Sequence, residues 1–374
     1  MEFSAEFHEQ IEAFVKRATA EPEETIGKAW GETPHRVPLA QRWNSPSDEL
    51  LQATPPPRDF VLPGLEVGDT GLLAGAGGSG KSWLVLEIAV GLALGWSWPW
   101  PAPKDPRVGV KDLAWVPPGP QRVAYFSAEE REHHLARRLH AIGQRHREDL
   151  GRRELDLLRH NLLTAHTPQD HLTEVIYGAA RPGDFAAQVV DELGDEGLRL
   201  IVLDPIASFA PSAELDAAGA AALVEVVRGV AAGTGAAVLL VHHSSQAAIL
   251  SREVGQTAAR GHTALVDGQR WVATLSAALD PDEAAARGLD EVERRRWVRL
   301  SLPKTSHSAP LPDITFRRSL DEPTSGVLEP APLPEALDAS SASRGASSAS
   351  RDGGNGKGKK SSGLAAWMDE EDEQ

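Results

Sequence analysis

The stretch GAGGSGKS, residues 75–82, decides the fold of this chain. It fits the pattern G-x-x-x-x-G-K-[ST]. The apolar run TGLLAG at 70–75 leads into it, and a strongly apolar helical stretch from Trp83 to about Leu94 follows it. A strand, a glycine-rich loop and a helix in this order form the context that the pattern requires, and they predict a phosphate-binding loop.

The residue types in this loop explain how it would hold a nucleotide. Glycines let the backbone curl so that successive N–H groups point at phosphate oxygens, and the helix N-terminus adds its dipole. The lysine reaches the β- and γ-phosphates, and the final serine offers a hydroxyl to Mg²⁺. The sequence therefore predicts ATP and Mg²⁺ as ligands. The predicted nucleotide-binding residues are Gly75, Ala76, Gly77, Gly78, Ser79, Gly80, Lys81 and Ser82.

Composition limits the class of protein. The 374 residues include no cysteine, which excludes disulfides and cysteine-bound zinc. The formal net charge of −16 argues against a broad surface that coats nucleic acid, although it leaves room for a local basic channel. The acidic, polar N-terminus carries no secretory signal, and no uninterrupted apolar run reaches the length of a membrane span. We expect a soluble cytoplasmic protein that does not enter a membrane.

Short apolar runs alternate with helical stretches between residues 58 and 330. Several runs are continuously apolar, as in strands buried on both faces of a parallel sheet. The runs are 70–75, 122–127, 200–204, 236–243, 270–277, 296–304 and 314–320. The pattern predicts one α/β domain with a mostly parallel central sheet and helices on both faces. The last three runs are predicted to form a mixed edge.

Three segments do not fit this alternation. Residues 1–57 are expected to form a short amphipathic helix, packed on its own domain or on a neighbouring subunit, and an extended linker. The proline- and tryptophan-rich residues 98–121 are expected to form a surface insertion. Residues 331–374 are rich in Ala, Ser and Gly and are expected to be disordered, ending in an apolar cluster and an acidic run. This tip is a docking peptide, a segment that competes with DNA for a basic surface of the protein itself, or a solvated tail without a partner.

Two carboxylates are candidates for chemistry beside the loop. Asp204 ends the run LIVLD and is the candidate Mg²⁺ ligand of the Walker B type, the alternative being a turn aspartate after a strand. Because Pro205 follows it, the catalytic base has to come from elsewhere. Glu129 and Glu130 follow the run at 122–127, and a carboxylate there can polarise the water that attacks the γ-phosphate. Glu129 is the predicted base; otherwise both glutamates are solvated residues at a helix start.

Later polar residues are candidate sensors and cations. His243 ends the run at 236–243 and is a candidate γ-phosphate sensor. Arg260 and Arg270 are candidates for an arginine finger that acts across a subunit interface, and each is otherwise a surface charge. Lys304 ends the run at 296–304 and is a candidate to approach the same phosphate.

Together these motifs resemble the RecA-fold AAA_25 ATPases, specifically the RepA-type hexameric replicative helicases of plasmids. The resemblance covers roughly residues 54–330, and it includes the segments SAEEREHHLARRLHAIG, LIVLDPIASF, LVHHSS, RGHTALVDGQRW and LPKTSHSAP. It implies a ring of six subunits with ATP sites between them and single-stranded DNA in the centre. It also implies the catalytic roles named above for Glu129, Asp204 and His243, with Arg270 as the finger of the adjacent subunit. The resemblance does not extend to the tail; if the tail tip is a docking peptide, a replication protein is its candidate partner.

Several functions fit the sequence. The first is an ATP-driven motor on single-stranded DNA, of the replicative helicase type. The second is an ATP-switched DNA-binding or assembly factor of replication or recombination that does not unwind DNA. A small-molecule kinase is a third, although no arginine-rich lid follows the 98–121 insertion. A deviant-Walker partition ATPase is disfavoured because Ala76, and not lysine, follows the first loop glycine.

Overall fold

The computed structural model describes residues 51–98, 115–176, 179–211, 217–243, 260–309 and 311–337. The strands are β1 Phe60–Leu62, β2 Leu65–Glu66, β3 Thr70–Gly75, β4 Arg122–Ser127, β5 Leu162–His166, β6 Thr173–Ile176, β7 Ala179–Pro182, β8 Leu198–Asp204, β9 Ala237–His243, β10 Trp271–Leu275, β11 Trp297–Thr305, β12 Ile314–Arg318 and β13 Leu328–Pro330. The helices are α1 Lys81–Leu94, α2 Glu132–Arg145, α3 Arg152–Asn161, α4 Asp184–Leu193, α5 Ile206–Phe209, α6 Ala217–Thr234, α7 Arg260–Gly268, α8 Pro281–Ala286 and α9 Glu291–Arg296.

The centre of the fold is a nine-stranded sheet with the order β13-β12-β11-β10-β3-β9-β8-β4-β5. The six strands from β10 to β5 are parallel, while β11, β12 and β13 add in antiparallel fashion. The predicted α/β class and mostly parallel sheet are thus confirmed. The mixed edge is also present, although it begins at β11 because β10 still runs parallel to β3.

The sheet is covered on both faces, which explains its continuously apolar strands. Every residue of β3 is buried, as are the first six residues of β9. One face packs against α1 and α2, with the side chains of Leu84, Leu135 and Ile142 in its core. The other face packs against α4, α6 and α7, with Phe185 and Leu223 in its core. A sheet buried on both sides needs apolar residues at successive positions rather than at alternate ones.

Helix α6 is long and apolar enough to match a membrane span by length and composition. Half of it is buried within the protein. It contacts α4 and α7, and its buried residues include Leu223, Val227 and Val230. These contacts are those of a core helix that covers a sheet, so the described part of the chain gives only weak evidence for a membrane segment.

Several predicted segments lie wholly or mostly outside the described residues. They are the N-terminal helix before residue 51, residues 99–114 of the predicted insertion and the tail from 338 onward. The predicted domain limits at 57 and 330 therefore stay predictions. Within the described part, the nine-stranded sheet extends to Pro330 in β13.

Strand order and register bring four carboxyl ends together. In the parallel set β3-β9-β8-β4, Gly75 pairs with His243, and Ser127 pairs with Asp204. Strands in a sheet lie about 4.8 Å apart, so these four residues form a row along one edge. We call this row and the loops that follow it the carboxyl edge. In open α/β sheets, ligands bind outside the carboxyl ends of the parallel strands.

Candidate functional site

The glycine-rich loop connects β3 to α1 at the carboxyl edge. Gly80 is the residue before the helix, with φ +101°, a left-handed conformation that a side chain would strain. Its carbonyl accepts the Leu84 N–H at 3.0 Å, which closes the first turn of α1. The helix thus begins at Lys81 with its unpaired N–H groups directed at the loop, an arrangement that attracts anions.

Lys81 folds back across its own loop. Its Nζ donates to the carbonyl oxygens of Gly75 at 2.7 Å and Ala76 at 2.9 Å, and its side chain is buried. Burial lowers the pKa of Lys81 to about 8, while the carboxylates of Asp204 and Glu129 act in the opposite direction. The ammonium therefore lies at the loop with backbone carbonyls as its partners, where an anion would supply stronger compensation.

Asp204 is buried at the end of β8, and Tyr125 orients it. The Tyr125 hydroxyl donates to Asp204 Oδ2 at 2.5 Å, and burial raises the pKa of Tyr125 well above its usual range. The hydroxyl therefore stays a donor, and it fixes one carboxylate oxygen. Asp204 also lines the cleft, together with Ser82 and Ser127.

The two adjacent glutamates after β4 have different environments. Glu130 forms an ion pair with Arg138 of α2, and the Arg138 guanidinium also lies 4.8 Å from the ring centre of Trp83. Glu129 lines the cleft and is exposed. Both glutamates thus line the cleft, but Glu130 is held by its ion pair with Arg138, whereas the carboxylate of Glu129 is accessible.

These side chains enclose a cleft of about 350 Å³ beside the loop. His243 lines it from the end of β9, and its neighbour His242 is buried, as expected for adjacent residues on a strand. The lining residues are Gly78, Gly80, Lys81, Ser82, Trp83, Ser127, Glu129, Glu130, Arg138, Asp204, Pro205, His243, Arg318 and Gly326. The structure therefore brings the loop, Glu129, Asp204 and His243 to one place.

Arg270 and Lys304 lie at the opposite end of the strands. Arg270 precedes β10, and its N–H donates to the carbonyl of Thr70 at the start of β3. Lys304 Nζ donates to the carbonyls of Val266 at 3.2 Å and Asp267 at 3.0 Å, near the end of α7. We call this side of the sheet the amino edge. Neither residue reaches the cleft of its own chain, so any role at a phosphate requires a neighbouring subunit.

Arg260 is the first residue of α7, and its side chain lies outside the described part of the structure.

The sequence did not predict two residues of the site. Arg318, at the end of β12, donates from Nη2 to the carbonyls of Gly78 and Ser79. Tyr125 is the partner of Asp204. The sequence offered one signal for Tyr125: it stands two residues before Ser127, in the strand that leads to the glutamates. No sequence signal pointed to Arg318.

The residue types in the cleft fit a triphosphate with Mg²⁺. Among the residues that the structure describes, the buried Oγ of Ser79 has no hydrogen-bond partner, and the Lys81 ammonium has only backbone carbonyls as acceptors. Anionic phosphate oxygens would satisfy both groups. A carboxylate and a hydroxyl, those of Asp204 and Ser82, are the hard oxygen donors that Mg²⁺ prefers.

A protein-family model decides the identity of the domain. The model for the AAA domain AAA_25 matches residues 34–248, which is more than half of the chain. The chain belongs to the AAA_25 family. Membership agrees with the glycine-rich loop and with the resemblance seen in the sequence, and it makes the protein a P-loop ATPase. The finer assignment to the RepA type stays a prediction.

Solved structures show distant likeness. One of them, an isolated ATPase domain, shares 12% identity with a TM-score of 0.43, covering 71% of this chain and 85% of that one. A KaiC-like protein from Pyrococcus horikoshii OT3 shares 13% identity with a TM-score of 0.39, covering 72% of this chain and 91% of that one. At these scores the likeness says nothing about the activity of this chain.

Proposed function

We propose that this AAA_25 protein is an ATP-driven motor on single-stranded DNA that resembles a hexameric replicative helicase. One observation carries the ATP-hydrolysing part: the loop, Glu129, Asp204 and His243 line one cleft of about 350 Å³ at the carboxyl edge. The assembly into a ring and the DNA rest on the sequence resemblance. The placement of Arg270 at the amino edge supports the ring, since that residue serves hydrolysis only at another subunit's site.

The proposed chemistry assigns one task to each side chain. Lys81 moves from its loop carbonyls to the β- and γ-phosphates and neutralises them. Asp204, oriented by Tyr125, and Ser82 would hold Mg²⁺, which would supply positive charge against the phosphates. Glu129 accepts a proton from the attacking water, and its exposed position at the cleft suits that role. His243 lies at the end of β9, where it can respond to the presence of the γ-phosphate.

An ATP-switched assembly factor is the second candidate. The net charge of −16 favours it, because phosphate attraction supplies most of the affinity for nucleic acid. Such a factor would use the same cleft and hydrolyse ATP slowly without displacing a strand. Both candidates share the P-loop chemistry and differ in the work that hydrolysis performs.

ATP hydrolysis with and without single-stranded DNA tests the proposal. For the motor we expect DNA to stimulate turnover, and Lys81→Ala to abolish it. Replacing the exposed Arg159, which pairs with Asp156 on α3, by alanine is the matched control and should leave turnover unchanged. Turnover that ignores DNA, or an active protein that fails to displace an annealed strand, would reject the motor in favour of the switch.

A further inference from the structure

The turn between β12 and β13 reaches the P-loop from an unexpected direction. In the sheet order, β12 stands three strands away from β3, which carries the loop. Nevertheless Arg318, the last residue of β12, donates from Nη2 to the carbonyl oxygens of Gly78 at 3.0 Å and Ser79 at 2.8 Å. A guanidinium of the same chain thus lies directly on the phosphate-binding loop.

Two further contacts hold the same turn to α1. Gly326, with φ +99°, lies so close to Trp83 that a Cβ atom there would stand 2.5 Å from the indole ring. The buried carboxyl group of Glu87 accepts the N–H of Leu328 at 2.9 Å. The turn therefore packs on the first turns of the P-loop helix as well as on the loop, so its position and that of Arg318 are fixed together.

The contacts of Arg318 bear directly on anion binding. In a trans peptide, the N–H points away from the C=O of the same unit. Holding the carbonyls of Gly78 and Ser79 therefore sets the direction of the next two N–H groups. The first belongs to Ser79 and donates to the carbonyl of Ala76 at 3.2 Å, which closes the loop. The second belongs to Gly80, at the start of α1. The guanidinium is always charged, so it also offsets the partial negative charge of the two carbonyls near the site.

The Arg318 guanidinium has N–H donors at the cleft besides those that contact the loop. It is half-buried and lines the cleft, and its Nε has no hydrogen-bond partner within the described residues. Its neighbour in β12, Arg317, instead pairs with Glu293 of α9 at 2.9 Å. Two adjacent arginines therefore have separate side-chain environments, one on the phosphate-binding loop and one on helix α9.

We propose that Arg318 is a positioning residue of the nucleotide site, which shapes the P-loop from within the same chain. It acts on Gly78 and Ser79, and the β12–β13 turn carries it to them. The inference rests on the proposed function only in that MgATP binds at the P-loop. Arg318 would be a second positively charged residue that acts on the site of its own chain, besides Lys81. Arg270, by contrast, is proposed to act on the site of a neighbouring subunit.

Calorimetric titration of the full chain with MgATP tests this assignment. We expect Arg318→Ala to weaken binding by about tenfold or more, the equivalent of one charge-assisted hydrogen bond. Arg318→Lys should recover most of the affinity, since an ammonium can donate to the same two carbonyls. Arg317→Ala is the matched control and should change affinity by less than about twofold, as expected for a partly exposed ion pair.

The thermal unfolding midpoint of each variant separates positioning from folding. Positioning requires that Arg318→Ala lose affinity with a midpoint close to that of Arg317→Ala. The inference is overturned if Arg318→Ala binds MgATP as the unmodified chain does, if lysine restores nothing, or if the loss accompanies a lowered midpoint. Lys81→Ala is the separate test of the proposed function: if that variant still binds MgATP normally, nucleotide does not bind at the P-loop at all.

Discussion

The two edges of the parallel sheet differ in how they satisfy their polar groups. At the carboxyl edge, and within the part of the chain that the structure describes, the Lys81 ammonium donates only to loop carbonyls and Ser79 Oγ has no partner. At the amino edge, His307 Nε2 lies 2.9 Å from Asp69 Oδ2, and Lys304 Nζ donates to the Asp267 carbonyl near the end of α7. One edge is arranged to receive an anion, while the other is largely closed by its own contacts.

Arg270 is the informative exception at the amino edge. Its side chain is exposed beside these contacts, and its backbone is fixed by bonds to Thr70 and Ser306. A well-positioned exposed cation on an otherwise paired edge is what a contribution to a neighbour's site requires. The comparison teaches that the carboxyl edge supplies the cleft and that the amino edge of an adjacent subunit is the candidate to complete it.

Short of complete loss of hydrolysis, the largest effect is expected at Glu129. Glu129→Gln keeps the shape of the side chain and removes its basicity, so we expect ATP hydrolysis to fall by about 10²–10⁴-fold while MgATP binding persists. Glu130→Gln is the matched control at the next position, and it should cost less because Glu130 is paired with Arg138. Steady-state turnover and calorimetric binding measure both. If Glu130→Gln lost more ATP hydrolysis than Glu129→Gln, Glu130 and not Glu129 would be the catalytic base.

Tyr125 should affect Mg²⁺ more than nucleotide. Tyr125→Phe removes the donor to Asp204, and loss of a partner of this kind typically weakens metal binding by about 10–100-fold. We expect turnover to require correspondingly more Mg²⁺ for half-saturation. His307→Gln at the amino edge should leave the Mg²⁺ dependence unchanged. An unaltered Mg²⁺ requirement in Tyr125→Phe would contradict the assignment of Asp204 as a metal ligand.

The lowered pKa of Lys81 predicts a pH dependence of binding. Burial brings it to about 8, so the free protein loses this charge as the pH rises through that value, whereas bound phosphates favour the charged form. Binding should therefore take up a proton above about pH 8 and weaken there by up to about tenfold per pH unit. Titrations in buffers of different ionisation enthalpy measure the uptake. Equal affinity and no uptake at about pH 9 would contradict this environment for Lys81.

The smallest effect is expected on stability, from Glu87. Burial raises the pKa of Glu87 to about 8. The folded protein therefore keeps this carboxyl group protonated at pH values above the ordinary pKa of glutamate, where the unfolded chain has already released the proton. The contribution to stability is complete at acid pH and is lost as the pH rises through about 8. Glu87→Gln should therefore raise the unfolding temperature by a few degrees near pH 8, at about 2–4 °C per kcal/mol.

The control for this prediction is Glu225→Gln, on the exposed side of α6. It should leave the unfolding temperature unchanged, and Glu87→Gln itself should show little difference near pH 5. Thermal unfolding followed by circular dichroism at both pH values measures this. A destabilised Glu87→Gln variant at pH 8 would mean that the carboxylate is charged in the fold.

Much of the fold was predictable because its signals are local. The seven apolar runs all form strands, and the glycine-rich loop fixed the start of α1. The short strands β5 and β13 were missed because they lie at the sheet ends, where half-buried positions weaken the apolar pattern. Arg318 was missed for another reason: its contact joins residues 240 positions apart, and only the sheet topology brings them together.

Mixing two inactive variants tests the comparison between the edges most directly. Lys81→Ala removes the lysine of the carboxyl edge, and Arg270→Ala removes the cation of the amino edge. If a neighbour's amino edge completes each cleft, some sites in a mixed assembly combine an intact Lys81 with an intact Arg270 from the adjacent subunit. We predict that each variant alone has lost ATP hydrolysis and that the mixture regains part of it. A mixture as inactive as its two components, or an Arg270→Ala protein that hydrolyses ATP normally, would contradict the account.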